Sequence, residues 1–167
     1  MAADAPVPPS ASERSDRGTL RVYLGASRGV GKTFAMLDEG RRRRDRGTDV
    51  VVAVVDTDDR ASTRELLQDL DVMGTGSLDA ASVLTRRPEV ALVDDLALVD
   101  PVGGPRWEAV DDLLDAGIDV VGTVEIAQLA SLSDVAERIT GMRTSATVPD
   151  AWLRAADQVQ LVDMTPE

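Results

Sequence analysis

Ten residues near the start of the chain hold the most chemical information: Leu24, Gly25, Ala26, Ser27, Arg28, Gly29, Val30, Gly31, Lys32 and Thr33. Residues 26–33 follow the phosphate-loop spacing, with Ala26 in place of the first glycine. Such a loop turns successive backbone N–H groups toward one anion. Gly29 and Gly31 permit the dihedrals this needs, and the helix that follows adds its positive end. Lys32 is then positioned to bridge the β- and γ-phosphates of a nucleotide, and the Thr33 hydroxyl to ligate Mg²⁺. A second segment, Val90–Val93 followed by Asp94 and Asp95, is an apolar strand ending in two carboxylates. That arrangement sets an acid beside the metal of a phosphate loop, and Asp94 is the expected metal-side carboxylate. Asp95 is the candidate for orienting or deprotonating an attacking water, although its reach is about one methylene shorter than that of glutamate. Binding is therefore better supported than hydrolysis.

Strand ends deliver ligands in open α/β sheets, which also marks Asp56 with Thr57, and Thr123 with Glu125. Asp56 is a second candidate for positioning water. Asp and Thr at such places equally serve as helix caps or turn residues. Arg41, Arg42, Arg43, Arg44 and Arg46 form a basic run that could meet phosphate, acidic lipid or a partner. Its place at the end of the helix that starts at Lys32 favours a solvated cluster complementing the helix dipole.

These residues need a scaffold, and the apolar runs supply one. Segments 20–24, 50–55, 90–93, 120–124 and 159–162 are short and mostly β-branched, as strands buried on both faces tend to be. They alternate with segments of helical period, the mark of a parallel sheet with crossover helices. Trp107, Val110, Leu113 and Leu114 line one helix face. Leu132, Val135, Ala136 and Ile139 recur at helical spacing behind a capping pattern from Ser131 to Asp134. Ser62 with Glu65 is a further capping signal, residues 74–77 read as a loop, and Pro101, Gly103, Gly104 and Pro105 form a breaker cluster. The expected fold is α/β: a doubly wound, phosphate-loop type, mainly parallel sheet of about five strands with helices on both faces. Residues 1–18, rich in Ala, Pro, Ser and Asp, read as a disordered tail, and residues 19–167 as one nucleotide-binding domain.

Composition narrows the chemistry. The chain has neither cysteine nor histidine, so disulfides, thiolate metal sites, imidazole catalysis and a phosphohistidine relay have no residues to use. A formal charge of −12, with one Phe and one Tyr, argues against nucleic acid as a partner. No apolar run approaches the roughly 20 residues of a membrane span, and the expectation is a cytoplasmic domain without direct membrane insertion. No Asn-Lys-x-Asp guanine-reading motif occurs, which favours ATP over GTP.

With these residues in place, the chain resembles the N-terminal cytoplasmic domain of the KdpD potassium sensor kinases from Gly18 to Glu167. The resemblance rests on residues 25–33 with Phe34, Ala35, Met36 and Leu37, on Ala91-Leu92-Val93-Asp94, on Arg106-Trp107, and on 117–120. It continues through Ile139-Thr140-Gly141, Thr147-Val148-Pro149-Asp150 and the closing residues 161–167. It implies an ATP-binding regulatory module in two-component signalling, fused to further domains, membrane helices and a histidine kinase core, so a kinase module or other signalling subunit is the expected partner. This sequence departs from the family pattern at Asp95, at Leu98-Val99-Asp100, at Glu125 and at Ala127-Gln128. Only the phosphate loop and Asp94 carry over cleanly. Three functions follow as expectations: a Mg-ATP-dependent regulatory domain, a working Mg-dependent ATPase using Asp95 or Asp56, or a degenerate loop that serves as a protein-binding scaffold.

Overall fold

The computed structural model describes residues 17–26, 31–55, 61–141 and 146–162. The expected loop residues Ser27, Arg28, Gly29 and Val30, and Asp56 with Thr57, lie outside the described residues, as do 1–16 of the expected tail.

The fold is α/β. Six parallel strands form one sheet: β1 (Leu20–Gly25), β2 (Val50–Val54), β3 (Asp71–Val72), β4 (Val90–Val93), β7 (Asp119–Glu125) and β8 (Gln158–Val162). Their spatial order is β3-β2-β4-β7-β1-β8. The sheet thus has one strand more than the five expected. The extra strand, β3, is two exposed residues paired with Val51 and Val52, too short to leave an apolar run in the sequence. A separate antiparallel ribbon, β5 (Val99–Asp100) with β6 (Gly104–Pro105), turns through residues 101–103 of the expected breaker cluster.

Helices cover both faces. The strand residues alternate between two cores, as a period of two requires. On one face Tyr23, Val50, Val52, Val90, Leu92 and Val121 pack against Met36 and Leu37 of α1 (Lys32–Asp45) and Leu66 of α2 (Ala61–Gln68). On the other, Leu20, Val22, Val51, Ala53, Ala91, Val93, Val120 and Val124 meet Val83 of α3 (Ala80–Arg86) and Val110, Leu113 and Leu114 of α4 (Arg106–Asp115). Burial on both faces explains why these strands read as unbroken apolar runs.

Two further helices complete the chain, α5 (Ala130–Thr140) and α6 (Asp150–Arg154). The capping pattern predicted at Ser131 is not what starts α5. The helix begins at Ala130, and Ser131 instead donates from its backbone N to Asp150 Oδ1 (2.9 Å) and from its hydroxyl to Asp150 Oδ2 (2.5 Å). These two bonds hold the carboxyl of Asp150 below the usual carboxylate range. Leu132, Val135 and Ile139 face outward rather than into either core. At the other end of the domain, Gly18 N donates to Leu114 O at 2.8 Å.

Helix α1 is fixed on β1 by a buried carboxylate. Glu39 accepts from Tyr23 Oη (3.0 Å), Arg21 Nη1 (2.7 Å) and Arg43 Nη2 (3.1 Å). Burial first, and the neighbouring Glu39 second, push the Tyr23 phenol above its ordinary value. This network sets the axis of α1, and with it the position of Lys32 and Thr33.

Candidate functional site

The site forms where β1, β7 and β4 end side by side. Ala26 is exposed just after β1, and Gly31 sits at φ 93°, a left-handed value that glycine adopts without strain. Gly31 is the N-cap of α1 and provides no side-chain cap, and the first turn of α1 holds no acidic residue. A helix start of this kind presents its backbone N–H groups to an anion. Lys32 follows, 8% exposed, its Nζ 3.9 Å from Glu125 Oε1.

Thr33 turns toward Asp94. Its hydroxyl lies 3.1 Å from Asp94 Oδ1 and 3.2 Å from Oδ2. Asp94, 4% exposed, also accepts from Thr123 Oγ1 (2.7 Å) and from the backbone N of Asp95 (3.1 Å). These hydrogen bonds fix the orientation of the buried carboxylate. Register explains the meeting. Val93 pairs with Gly122, which brings the next residues, Asp94 and Thr123, together beyond the last pair. The hydroxyl of Thr123 on β7 thus bonds both residues that follow β4, Asp94 and Asp95.

Asp95 has φ 49°, left-handed for a non-glycine residue, a conformation that Asp tolerates better than most. Its N donates to Thr123 Oγ1 (2.8 Å), and its carboxylate Oδ1 accepts from Gln128 Nε2 (3.1 Å). The carboxylate is thus held against the turn that follows β7. That turn, a 3₁₀ helix at Ile126–Gln128, is closed by a reciprocal capping box. The Glu125 carboxylate accepts from the Gln128 backbone, and Gln128 Oε1 accepts from Glu125 N at 2.9 Å.

Beneath the site lies a fully buried arginine. Arg106 Nη1 donates to the carbonyl of Asp94 (2.7 Å) and Nη2 to the carbonyl of Gly76 (3.1 Å). Its Nε lies 3.2 Å from Asp100 Oδ2, and Asp100 also accepts from Leu78 N (3.3 Å). The end of β4, the 74–78 loop and the β5–β6 ribbon are joined through one side chain.

Comparison with known families matches residues 16–167 to the family described as "KdpD: Osmosensitive K+ channel His kinase sensor domain". The chain belongs to the KdpD family. It is 49% identical over 164 residues to the Sensor protein KdpD of Mycobacterium tuberculosis, covering 90% of this chain and 19% of that protein. Against the Sensor protein KdpD of Escherichia coli it is 42% identical over 164 residues, covering 90% and 18%. The Putative sensor protein KdpD of Synechocystis is 36% identical over 172 residues, with 95% and 46% covered. The chain spans about a fifth of the length of the first two.

In this KdpD domain, Thr33, Asp94, Asp95, Thr123, Glu125 and Lys32 converge from three strand ends. The Thr33 hydroxyl and the Asp94 carboxylate offer oxygen ligands, the kind that suits a hard cation. Among the described residues no three His, Cys, Asp or Glu side chains gather to form a metal site by themselves. Four arginines of the basic run are paired internally: Arg41 with Asp69, Arg42 with Asp38, Arg43 with Glu39 and Arg44 with Asp45. Arg106 and Gln128 were not among the expected site residues of the KdpD domain, yet both touch the expected acids. No helix among the described residues is long and apolar enough to cross a membrane.

Proposed function

We propose that the domain is a cytoplasmic Mg-ATP-binding regulatory module of a KdpD-type sensor, its nucleotide state setting its affinity for a kinase module in the same polypeptide or in a partner subunit. The contact between the Thr33 hydroxyl and both oxygens of Asp94 carries this reading. The last residue of the glycine-rich loop and the acid of β4 share one point beside the uncapped start of α1. Lys32, buried next to them, would hold the β- and γ-phosphates, and Thr33 with Asp94 would hold Mg²⁺. Bound there, the ion would neutralise phosphate charge and take its remaining ligands from phosphate oxygens and water. Three carboxylates, those of Asp94, Asp95 and Glu125, also surround the site. They favour a metal-bound nucleotide over a bare polyphosphate.

Calorimetric titration of Mg-ATP into the purified chain tests the proposal, with Lys32→Ala and Asp94→Asn as comparisons. Micromolar binding that Lys32→Ala abolishes supports it. Absence of binding to the parent chain sinks it and leaves the protein-binding scaffold. Phosphate release above the Lys32→Ala level would add an ATPase, and with it a role for Asp95.

A further inference from the structure

We infer that Glu125 is the residue by which the domain tells a nucleoside triphosphate from a diphosphate: its carboxylate engages the Lys32 ammonium that the third phosphate must take. The inference rests on the nucleotide-binding reading above and adds a specificity to it.

Glu125 closes β7 directly opposite Gly25, the last residue of β1, so it stands at the root of the glycine-rich loop. Its Oε1 is 3.9 Å from Lys32 Nζ, and the two side chains are 25% and 9% exposed. Charges in such a partly buried setting interact several times more strongly than in water. The carboxylate is also anchored. It accepts the Gln128 backbone N–H within the capping box, while Gln128 Oε1 accepts from Glu125 N at 2.9 Å. To move away from Lys32 it must give up a cap on the turn at Ile126–Gln128.

The lysine of a phosphate loop reaches the β- and γ-phosphates, whereas loop N–H groups cradle the α- and β-phosphates. Repulsion from a fixed carboxylate beside that lysine therefore falls mainly on the third phosphate. Opening the Lys32–Glu125 pair also disturbs the turn whose Gln128 holds Asp95 Oδ1 at 3.1 Å. Arrival of a triphosphate would thus register at Asp95 and at the start of α5, and arrival of a diphosphate would not.

The test is titration calorimetry of Mg-ATP and Mg-ADP into the parent chain and into Glu125→Gln, which removes the charge and keeps an acceptor for the cap. ATP should tighten about tenfold or more and ADP change less than about threefold, since the lost repulsion is that of like charges at close range. Glu125→Asn, a good cap residue, should give the same split if the glutamine variant folds poorly. Equal changes for ATP and ADP, or weaker ATP binding, would overturn the inference while leaving nucleotide binding intact. Failure of the parent chain to bind either nucleotide would overturn both.

Discussion

Arg106 donates from Nη1 to the carbonyl oxygen of Asp94 at 2.7 Å, from a side chain with no exposure to solvent. The acid that faces the glycine-rich loop is thereby tied, through its own backbone, to Asp100 in the ribbon and to Gly76. A buried arginine is expensive to desolvate and is retained only with its partners in place.

Arg106→Met should therefore cost about 3–5 kcal/mol, because it leaves the Asp100 carboxylate buried without its counter-charge. Adding Asp100→Leu should recover part of that loss, since an apolar pair leaves fewer unsatisfied groups. Urea unfolding of the parent, the single and the double variants measures both. A double variant less stable than Arg106→Met would refute the account.

Nucleotide and metal should stabilise together. Mg-ATP at about 100 times its Kd should raise the unfolding free energy by about 2.7 kcal/mol. The gain should vanish when EDTA replaces Mg²⁺, because Asp94, Asp95 and Glu125 leave the site too acidic for bare ATP. Thermal melts with ATP, with and without the metal, decide the point.

Gly122→Ala should destabilise the strand next to the site. A Cβ there would lie 2.6 to 2.9 Å from the side-chain atoms of Leu96, itself fully buried. Overpacking of this kind costs about 1–3 kcal/mol. Leu96 N also donates to Thr123 O at 2.9 Å, so a displaced Leu96 should weaken Mg-ATP binding as well as lower the melting temperature. An unchanged melting temperature would mean that the core between β7 and Leu96 is looser than described.

Alkali should expose the Tyr23–Glu39 contact. The phenol titrates higher in the folded chain than in the unfolded one, where it ionises near pH 10. Its contribution is therefore complete below that pH and is lost as pH rises through the folded value. Unfolding measured from pH 8 to 11.5 should show a decline in the parent that Tyr23→Phe makes shallower.

Particular residues show what the sequence could and could not reveal. β1, β2, β4 and β7 were legible because burial on both faces demands largely apolar runs, and Asp94 was legible as the first polar residue after one of them. β8 was found from its apolar residues too, but it is an edge strand that leaves Val159 and Leu161 exposed, so the burial expected for it on both faces does not hold. β3 has two exposed residues and leaves no such trace. Arg106 carried a signal that a search for apolar residues passes over. It sits four residues before Val110 and seven before Leu113, on the buried stripe of α4, and a charge on that stripe implies a buried partner. Gln128 is 33 residues from Asp95, and no local pattern announces their bond. At Ser131 the local pattern was present but lost to a longer-range one, because Asp150 offers the hydroxyl and the backbone N a single acceptor.

The strand order has a consequence for folding. β7 separates β1 from β4, so Thr33 can reach Asp94 only after a strand more than 80 residues downstream of that threonine has been inserted between them. Pairings over such separations form late and slowly. A chain that has paired β2 with β4 and packed α1, but has not yet accepted β7, holds most of the secondary structure and none of the site. Competence to bind a nucleotide would then report completion of the sheet, and a ligand captured at that stage would lock the last strand in place.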